Sequence, residues 1–343
     1  MQVNQGKVLI TGSCGYIGAH TWTDLVANGH NVIGLDNFSR SSPKILEGIE
    51  AITNKTPVNY QVDLRDEKQL NDFFDKEDDI EAIVHFAAFK SVGESVEKPL
   101  IYFENNIGGM INLLKQVDKR KINNLIFSSS CSVYGNAFKM PVTEQTPIAL
   151  AESPYARTKQ ICEMMLEDLS AKKQTNIVSL RYFNPAGAHP SNLIGEYSYD
   201  KPQNLVPVIM GNASGKIPEL QVFGADYDTR DGSCIRDYIY IMDLANGHTK
   251  TLDYLFSKKQ SDSYQIYNLG TGKGVSVLEM LYAFEKETRQ PLNYKITNRR
   301  PGDVVEIFAD SSKAKKDLKW TPKHNVEDIM RTAWEWELKT GNR

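Results

Sequence analysis

Six short apolar runs recur through the first half of the chain, at 7–11, 31–36, 58–63, 82–87, 125–128 and 177–181, with helical periodicity between them. That alternation constrains the fold more than any other feature. Parallel strands need crossovers of about a dozen residues or more, and strands buried on both faces read as continuous apolar runs. Helix punctuation agrees: Asp66 opens 67–74, and Pro99 precedes a long pattern through Leu113, Leu114 and Val117. Six strands fit a doubly wound α/β sheet. Past Phe183 the rhythm breaks into a stretch rich in Pro, Gly, Asn and Asp, 184–231, expected to lie over the carboxyl ends of the strands. Residues 236–269 again read as helix and then strand. The expectation is a doubly wound parallel sheet over 1–183, to which about 236–269 returns, and a smaller C-terminal α/β domain over 184–343 that takes the substrate.

Forty basic and forty-three acidic residues leave a formal charge of −3, with no basic footprint for nucleic acid and no polybasic stretch for a membrane surface. A small molecule is the expected partner. No run approaches the roughly 18 apolar residues of a membrane span, and the start shows no export signal. Cys14, Cys131, Cys162 and Cys234 lie far apart and read as reduced thiols in a cytoplasmic protein. The six histidines show no ligand spacing, so no metal is expected.

Gly12-Ser13-Cys14-Gly15-Tyr16-Ile17-Gly18 joins the first strand directly to a helix. Glycines there let the backbone turn tightly and approach a pyrophosphate, while the helix start offers free N–H groups. Asp36 ends the next strand, where a carboxylate would accept from ribose hydroxyls and repel a 2′-phosphate. Together these point to a Rossmann-type site for NAD rather than NADP, with Asn37 and Leu64 beside it. Asp63 either receives the adenine amino group or caps a helix. Phe86-Ala87-Ala88 either lets the cofactor lie against the backbone or reflects tight packing.

Tyr155 and Lys159 stand four apart, on one face of a helix. The spacing alone says little, because Tyr197 with Lys201, Tyr254 with Lys258 and Tyr282 with Lys286 repeat it. Only Tyr155 follows a strand ending in Ser128-Ser129-Ser130, at the edge that carries the glycine loop. A nearby Lys⁺ and an oxidised nicotinamide would both favour the phenolate, so Tyr155 could take a proton from a substrate hydroxyl while Ser130 holds that oxygen. Lys159 would also anchor the nicotinamide ribose.

A glycine loop, an end-of-strand Ser and this Tyr/Lys pair, in that order, resemble the short-chain dehydrogenase/reductase superfamily. Gly93-Glu94-Ser95-Val96, Val133-Tyr134-Gly135, Arg181-Tyr182-Phe183-Asn184-Pro185, Arg236-Asp237-Tyr238 and Arg300-Pro301-Gly302-Asp303 narrow the resemblance, over nearly the whole chain, to the UDP-glucose 4-epimerases. The resemblance implies a reaction in which hydride leaves C4 of a UDP-hexose for tightly held NAD⁺, the 4-keto sugar turns over, and hydride returns to the other face. It makes Tyr155 the base, Ser130 its partner and Lys159 the activator, and it lines the cofactor site with Lys90, Asn105 and Phe183. Around the UDP-sugar it places Lys90, Asn184, Asn204, Leu205, Gln221, Phe223, Arg236, Arg300 and Asp303. Planar, permanently charged guanidiniums suit a diphosphate, and Asp303 could accept from uridine ribose. Ile307 stands where residue size bears on whether an N-acetyl group fits; isoleucine is intermediate, which leaves UDP-N-acetylglucosamine 4-epimerase activity, in addition or instead, as the alternative. Pro301 replaces a usual glutamate. Helices beginning at Pro99 and near Tyr155 would form a homodimer interface.

Other readings fit less well. Gly270-Thr271-Gly272-Lys273-Gly274 lacks the Ser or Thr of a phosphate loop and reads as a turn before a helix. A 4,6-dehydratase would carry an acid and a carboxylate after Ser130, where this chain has Cys131 and Ser132. A non-catalytic NAD sensor commonly loses the Tyr or the Lys, and both are present.

Overall fold

The structure is a computed structural model and describes residues 6–197, 202–260, 262–300 and 303–341. Lys201, Pro301 and Gly302, named above, lie outside them. Strands β1 (Lys7–Thr11), β2 (Val32–Asp36), β3 (Val58–Gln61), β4 (Ile80–His85), β5 (Asn124–Ser130) and β6 (Asn176–Tyr182) match the apolar runs to within a few residues. They form one parallel sheet in the order β3-β2-β1-β4-β5-β6. The central strands are apolar on both faces because helices cover both: Leu9, Ile83 and Leu125 pack on one side, Val8, Ile10, Val84 and Ile126 on the other, while β3 at the edge is half exposed.

After β6 the chain leaves this sheet at once. Strand β7 (Asn184–Ala186) pairs with β9 (Ile235–Tyr240), beside which lie β11 (Gly274–Ser276) and β13 (Glu306–Ile307); β8 (Leu220–Phe223) pairs with β12 (Tyr294–Thr297). The stretch 236–269 therefore divides. Its first strand, β9, belongs to the small sheet, whereas the helix Ile241–Phe256 packs on the helix Tyr16–Ala27, and β10 (Tyr264–Leu269) joins β6 as the seventh strand of the large sheet. Ligand-binding crevices in such folds open at the carboxyl ends of the strands, where Gly12, Asp36, Phe86, Ser130 and Phe183 follow or end five of them.

Candidate active site

Close backbone approach shapes the glycine loop. Gly12 has φ +68°, and a Cβ there would stand 2.8 Å from the Ala87 amide, so the ends of β1 and β4 meet with no room for a side chain. A Cβ on Gly18 would stand 2.2 Å from the Gly12 carbonyl, which lets the following helix rest on the loop. That helix begins at Tyr16 with Gly15 as its N-cap and no side-chain cap, so its first amides are open to an anion. Asp36 lies beside them: one carboxylate oxygen accepts from the Cys14 amide (3.0 Å), the other from the Phe38 amide (2.8 Å) and the Ser41 hydroxyl (2.6 Å). Burial, then the Asp36 charge, pushes the Cys14 thiol up to about 12, leaving it a neutral filler. A side-chain-free cradle, open amides and an oriented carboxylate fit a dinucleotide.

Asp63 does not cap a helix. Asp66 caps Glu67–Lys76, accepting from the Lys68 and Gln69 amides at 3.0 Å each. Asp63 instead grips Arg65 (Nε 3.0 Å, Nη2 2.6 Å) and accepts from Asn37 (3.1 Å), and the Arg65 bonds lower its carboxyl to about 2. Leu64 is buried under Gly109, while Tyr16 donates to the Gly187 carbonyl (2.6 Å).

Ser153 caps the helix Pro154–Ser170 and Pro154 takes its first position, which puts Tyr155 in the first turn, next to the end of β5. Ser130 ends that strand, and its side chain acts on the Tyr155 phenol in favour of the phenolate. Lys159 is buried, donates to the Ser128 carbonyl (2.6 Å), and lies 4.8 Å from the Phe127 ring centroid and 5.9 Å from that of Tyr155. Burial holds Tyr155 up at about 12, with Ser130 offsetting part of that, and burial draws Lys159 down to about 8. Lys159 turns to a backbone carbonyl, so in this state its charge does not outweigh desolvation of the phenol. Of the other tyrosines with this spacing, Tyr282 is exposed and Tyr254 lies on Ile241–Phe256, neither beside the serines.

Supporting residues escaped the sequence reading. Glu163, one turn beyond Lys159, accepts from Arg181 of β6 (Nε 2.9 Å, Nη2 2.5 Å) and from Ser129 of β5, fixing the Tyr155 helix to both strands. The Arg181 guanidinium in turn lies 4.9 Å from the Tyr134 ring centroid. Asn105 sits in a π-helical turn, Phe103–Gly108, within the long helix from Pro99; its neighbour Asn106, buried, accepts from the Phe89 amide (2.8 Å) and donates to Thr158 (3.1 Å). A Glu four residues after Lys159 was a usable signal, whereas the Arg181 pairing is long-range and left none.

Across the cleft, Asp303 draws the two arginines together. Arg300 bonds it through Nη2 (2.6 Å) and Nε (3.2 Å), and Arg236 approaches to 3.8 Å. Asp303 is thus already engaged, and a ribose would share it. Arg300 also lies 5.4 Å from the ring centroid of exposed Phe223, near exposed Gln221 on the same strand. Lys90 is not a free lining residue: it pairs with Glu196 (2.8 Å), which also accepts from Asn204 (3.3 Å), the residue before Leu205. Asn184 pairs in register with Tyr238. Phe183 and Ile307 share a small buried cluster with Val133 and Tyr134, the turn after Ser130.

This geometry combines with a consistent set of similarities. The family described as GDP-mannose 4,6 dehydratase matches residues 9–333. The UDP-glucose 4-epimerase of Dictyostelium discoideum is 45% identical over 343 residues, covering 100% of this chain and 98% of its own. That of Bacillus subtilis is 43% identical over 336 residues, covering 98% of each. Among solved structures, the Stenotrophomonas maltophila enzyme with bound NAD and formylated UDP-arabinopyranose superposes with a TM-score of 0.94 at 43% identity, covering 98% of this chain and 99% of that one. The Bifidobacterium longum enzyme in complex with NAD⁺ and UDP gives 0.93 at 42%, with the same coverage. Cys131 and Ser132 of this chain are neither an acid nor a carboxylate, the pair that elimination chemistry would need after Ser130. With full-length relatives above 40% identity and a Ser130–Tyr155–Lys159 edge beside the glycine cradle, the chain belongs to the UDP-glucose 4-epimerase family.

Proposed function

We propose that this chain interconverts UDP-glucose and UDP-galactose by inverting C4, with NAD as its resident cofactor. The observation that carries the reading is the meeting of Tyr155 and Ser130 at the edge that holds the Gly12–Gly18 cradle, with no carboxylate at Cys131 or Ser132. Bound NAD supplies the carbon that accepts hydride from C4 and returns it and, when oxidised, a positive charge. Tyr155 takes the proton of the C4 hydroxyl and gives it back, Ser130 hydrogen-bonds that oxygen throughout, and Lys159 adds its charge on the nicotinamide-ribose side. Asp36, Asn37, Asp63, Leu64, Phe86, Ala87, Ala88, Asn105 and Phe183 line the dinucleotide. Arg236 and Arg300 take the diphosphate, and Lys90, Asn184, Asn204, Leu205, Gln221, Phe223 and Asp303 surround the uridine and sugar. Residues 1–183 with the returning helix and strand form the NAD unit, and the remainder forms the UDP-sugar unit.

Ile307, buried in the wall beside Phe183, favours the unsubstituted hexoses. Chromatography of products from UDP-galactose and from UDP-N-acetylgalactosamine tests this, and faster turnover of the N-acetyl sugar would overturn it. A homodimer accounts for the exposed apolar side chains Val96, Leu100, Ile111 and Met164 on helices at one side of the sheet. Light scattering that gave a monomer at micromolar concentration would refute that assembly. A cytoplasmic location suits four free cysteines, three of them buried.

A further inference from the structure

The turn Gly270-Thr271-Gly272 holds an anion after all, but an internal one. Thr271 places its amide (2.8 Å) and hydroxyl (2.6 Å) on one carboxylate oxygen of Asp237, and Gly272 (3.1 Å) and Ala309 (3.1 Å) place their amides on the other. Asp237 is fully buried, and a Cβ on Gly270 would stand 2.5 Å from its oxygen, so the turn is shaped around the carboxylate. Successive residues of a strand face opposite ways. Asp237 therefore points away from the side on which its β9 neighbour Arg236 meets Asp303, while Arg236 pairs in register with Ile307, two residues before Ala309.

One carboxylate thus ties three segments together: β9 with Arg236, the segment from Ile307 to Ala309, and the turn that follows β10 of the large sheet. We propose that Asp237 is a positioning residue of the UDP-sugar site, setting Arg236 and Ile307 at a fixed height above the large sheet without touching substrate. This rests on the reading of that surface as the UDP-sugar site. A carboxamide cannot replace the carboxylate. Each oxygen receives two donors, and whichever side takes the NH₂ turns it against at least one backbone N–H, leaving that group unsatisfied in the interior.

The test is Asp237→Asn in the full chain, read by KM and kcat for UDP-galactose, by calorimetric affinity for UDP, and by NAD content. The expected result is a KM and a UDP dissociation constant raised tenfold or more, kcat within threefold, and NAD content unchanged. Unchanged UDP affinity overturns the proposal, as does a joint fall of kcat, UDP affinity and NAD content, which marks a general structural role. If the unmodified chain binds UDP without epimerising UDP-galactose, the functional reading fails, while Asp237 is still judged on UDP affinity. Should Asp237→Asn not fold, Thr271→Val removes one donor and keeps the backbone; it is expected to weaken UDP about threefold, and unchanged affinity overturns the proposal.

Discussion

Glu163→Gln isolates the buried pair beneath the Tyr155 helix. The side chains of Arg181 and Glu163 are 2% and 5% exposed, joined by bonds of 2.9 and 2.5 Å, so water cannot replace the lost charge. A glutamine offers Arg181 one acceptor in place of two and, in either orientation, turns an NH₂ toward the guanidinium. Removing one partner of a buried pair costs about 3–5 kcal/mol, because the remaining charge stays buried and uncompensated. With an unfolding entropy near 2.1 cal/mol/K per residue, 343 residues give about 0.7 kcal/mol/K, so the melting temperature should fall by about 4–7 °C. The assay is a thermal melt of the variant beside Glu163→Met/Arg181→Leu, in which both charges are gone. The double variant should recover to within about 1–2 kcal/mol of the unmodified chain, because an apolar pair of similar volume removes the desolvation cost. A single variant melting within about 1 °C of the unmodified chain, or a double variant no better than the single, would refute the reasoning.

Tyr155→Phe should keep UDP binding and lose about 10²- to 10⁴-fold in kcat, measured by product chromatography; near-normal turnover would remove Tyr155 from the proton path. Lys159 sets a pH dependence in cofactor-stripped protein. Its folded pKa of about 8 lies below the ordinary 10.5, so below about 8 both states hold the proton and the burial penalty is full; between 8 and 10.5 only the unfolded chain holds it, and stability rises. The stability advantage of Lys159→Met over the unmodified chain should accordingly shrink by about 3 kcal/mol from pH 7.5 to 10.5 in denaturant titrations, and a constant gap would contradict the burial account. Gly18→Ala should retain helical circular dichroism but lose most of its NAD on gel filtration, because the methyl would stand 2.2 Å from the Gly12 carbonyl; full NAD content would contradict that close approach.

The large sheet was legible because burial on both faces writes its central strands as apolar runs, and strand ends then locate Gly12, Asp36 and Ser130 without any structure. The small sheet was not. Strands β7, β11 and β13 are two or three residues long, too short for any period to show, and they exist through pairing with β9 across large sequence separations. The same distance hid the site's supports: Arg181 on Glu163, Asn106 on Phe89 and Thr158, and Glu196 on Lys90 are contacts that no local pattern encodes. Asp66 was readable as the cap of Glu67–Lys76, whereas the grip of Asp63 on Arg65 in place of a capping role was not. The enclosure of Tyr155 and Lys159, which raises the first and lowers the second through burial, is likewise a tertiary effect that no local pattern encodes.

The central claim is that the chain returns hydride to the sugar it came from, using NAD that it already holds. Purified protein incubated with UDP-galactose, with no cofactor added, should form UDP-glucose while absorbance at about 340 nm gains no more than one NADH per chain. Product formation that required added NAD⁺ and accumulated NADH in proportion would contradict it, and would make the chain a dehydrogenase.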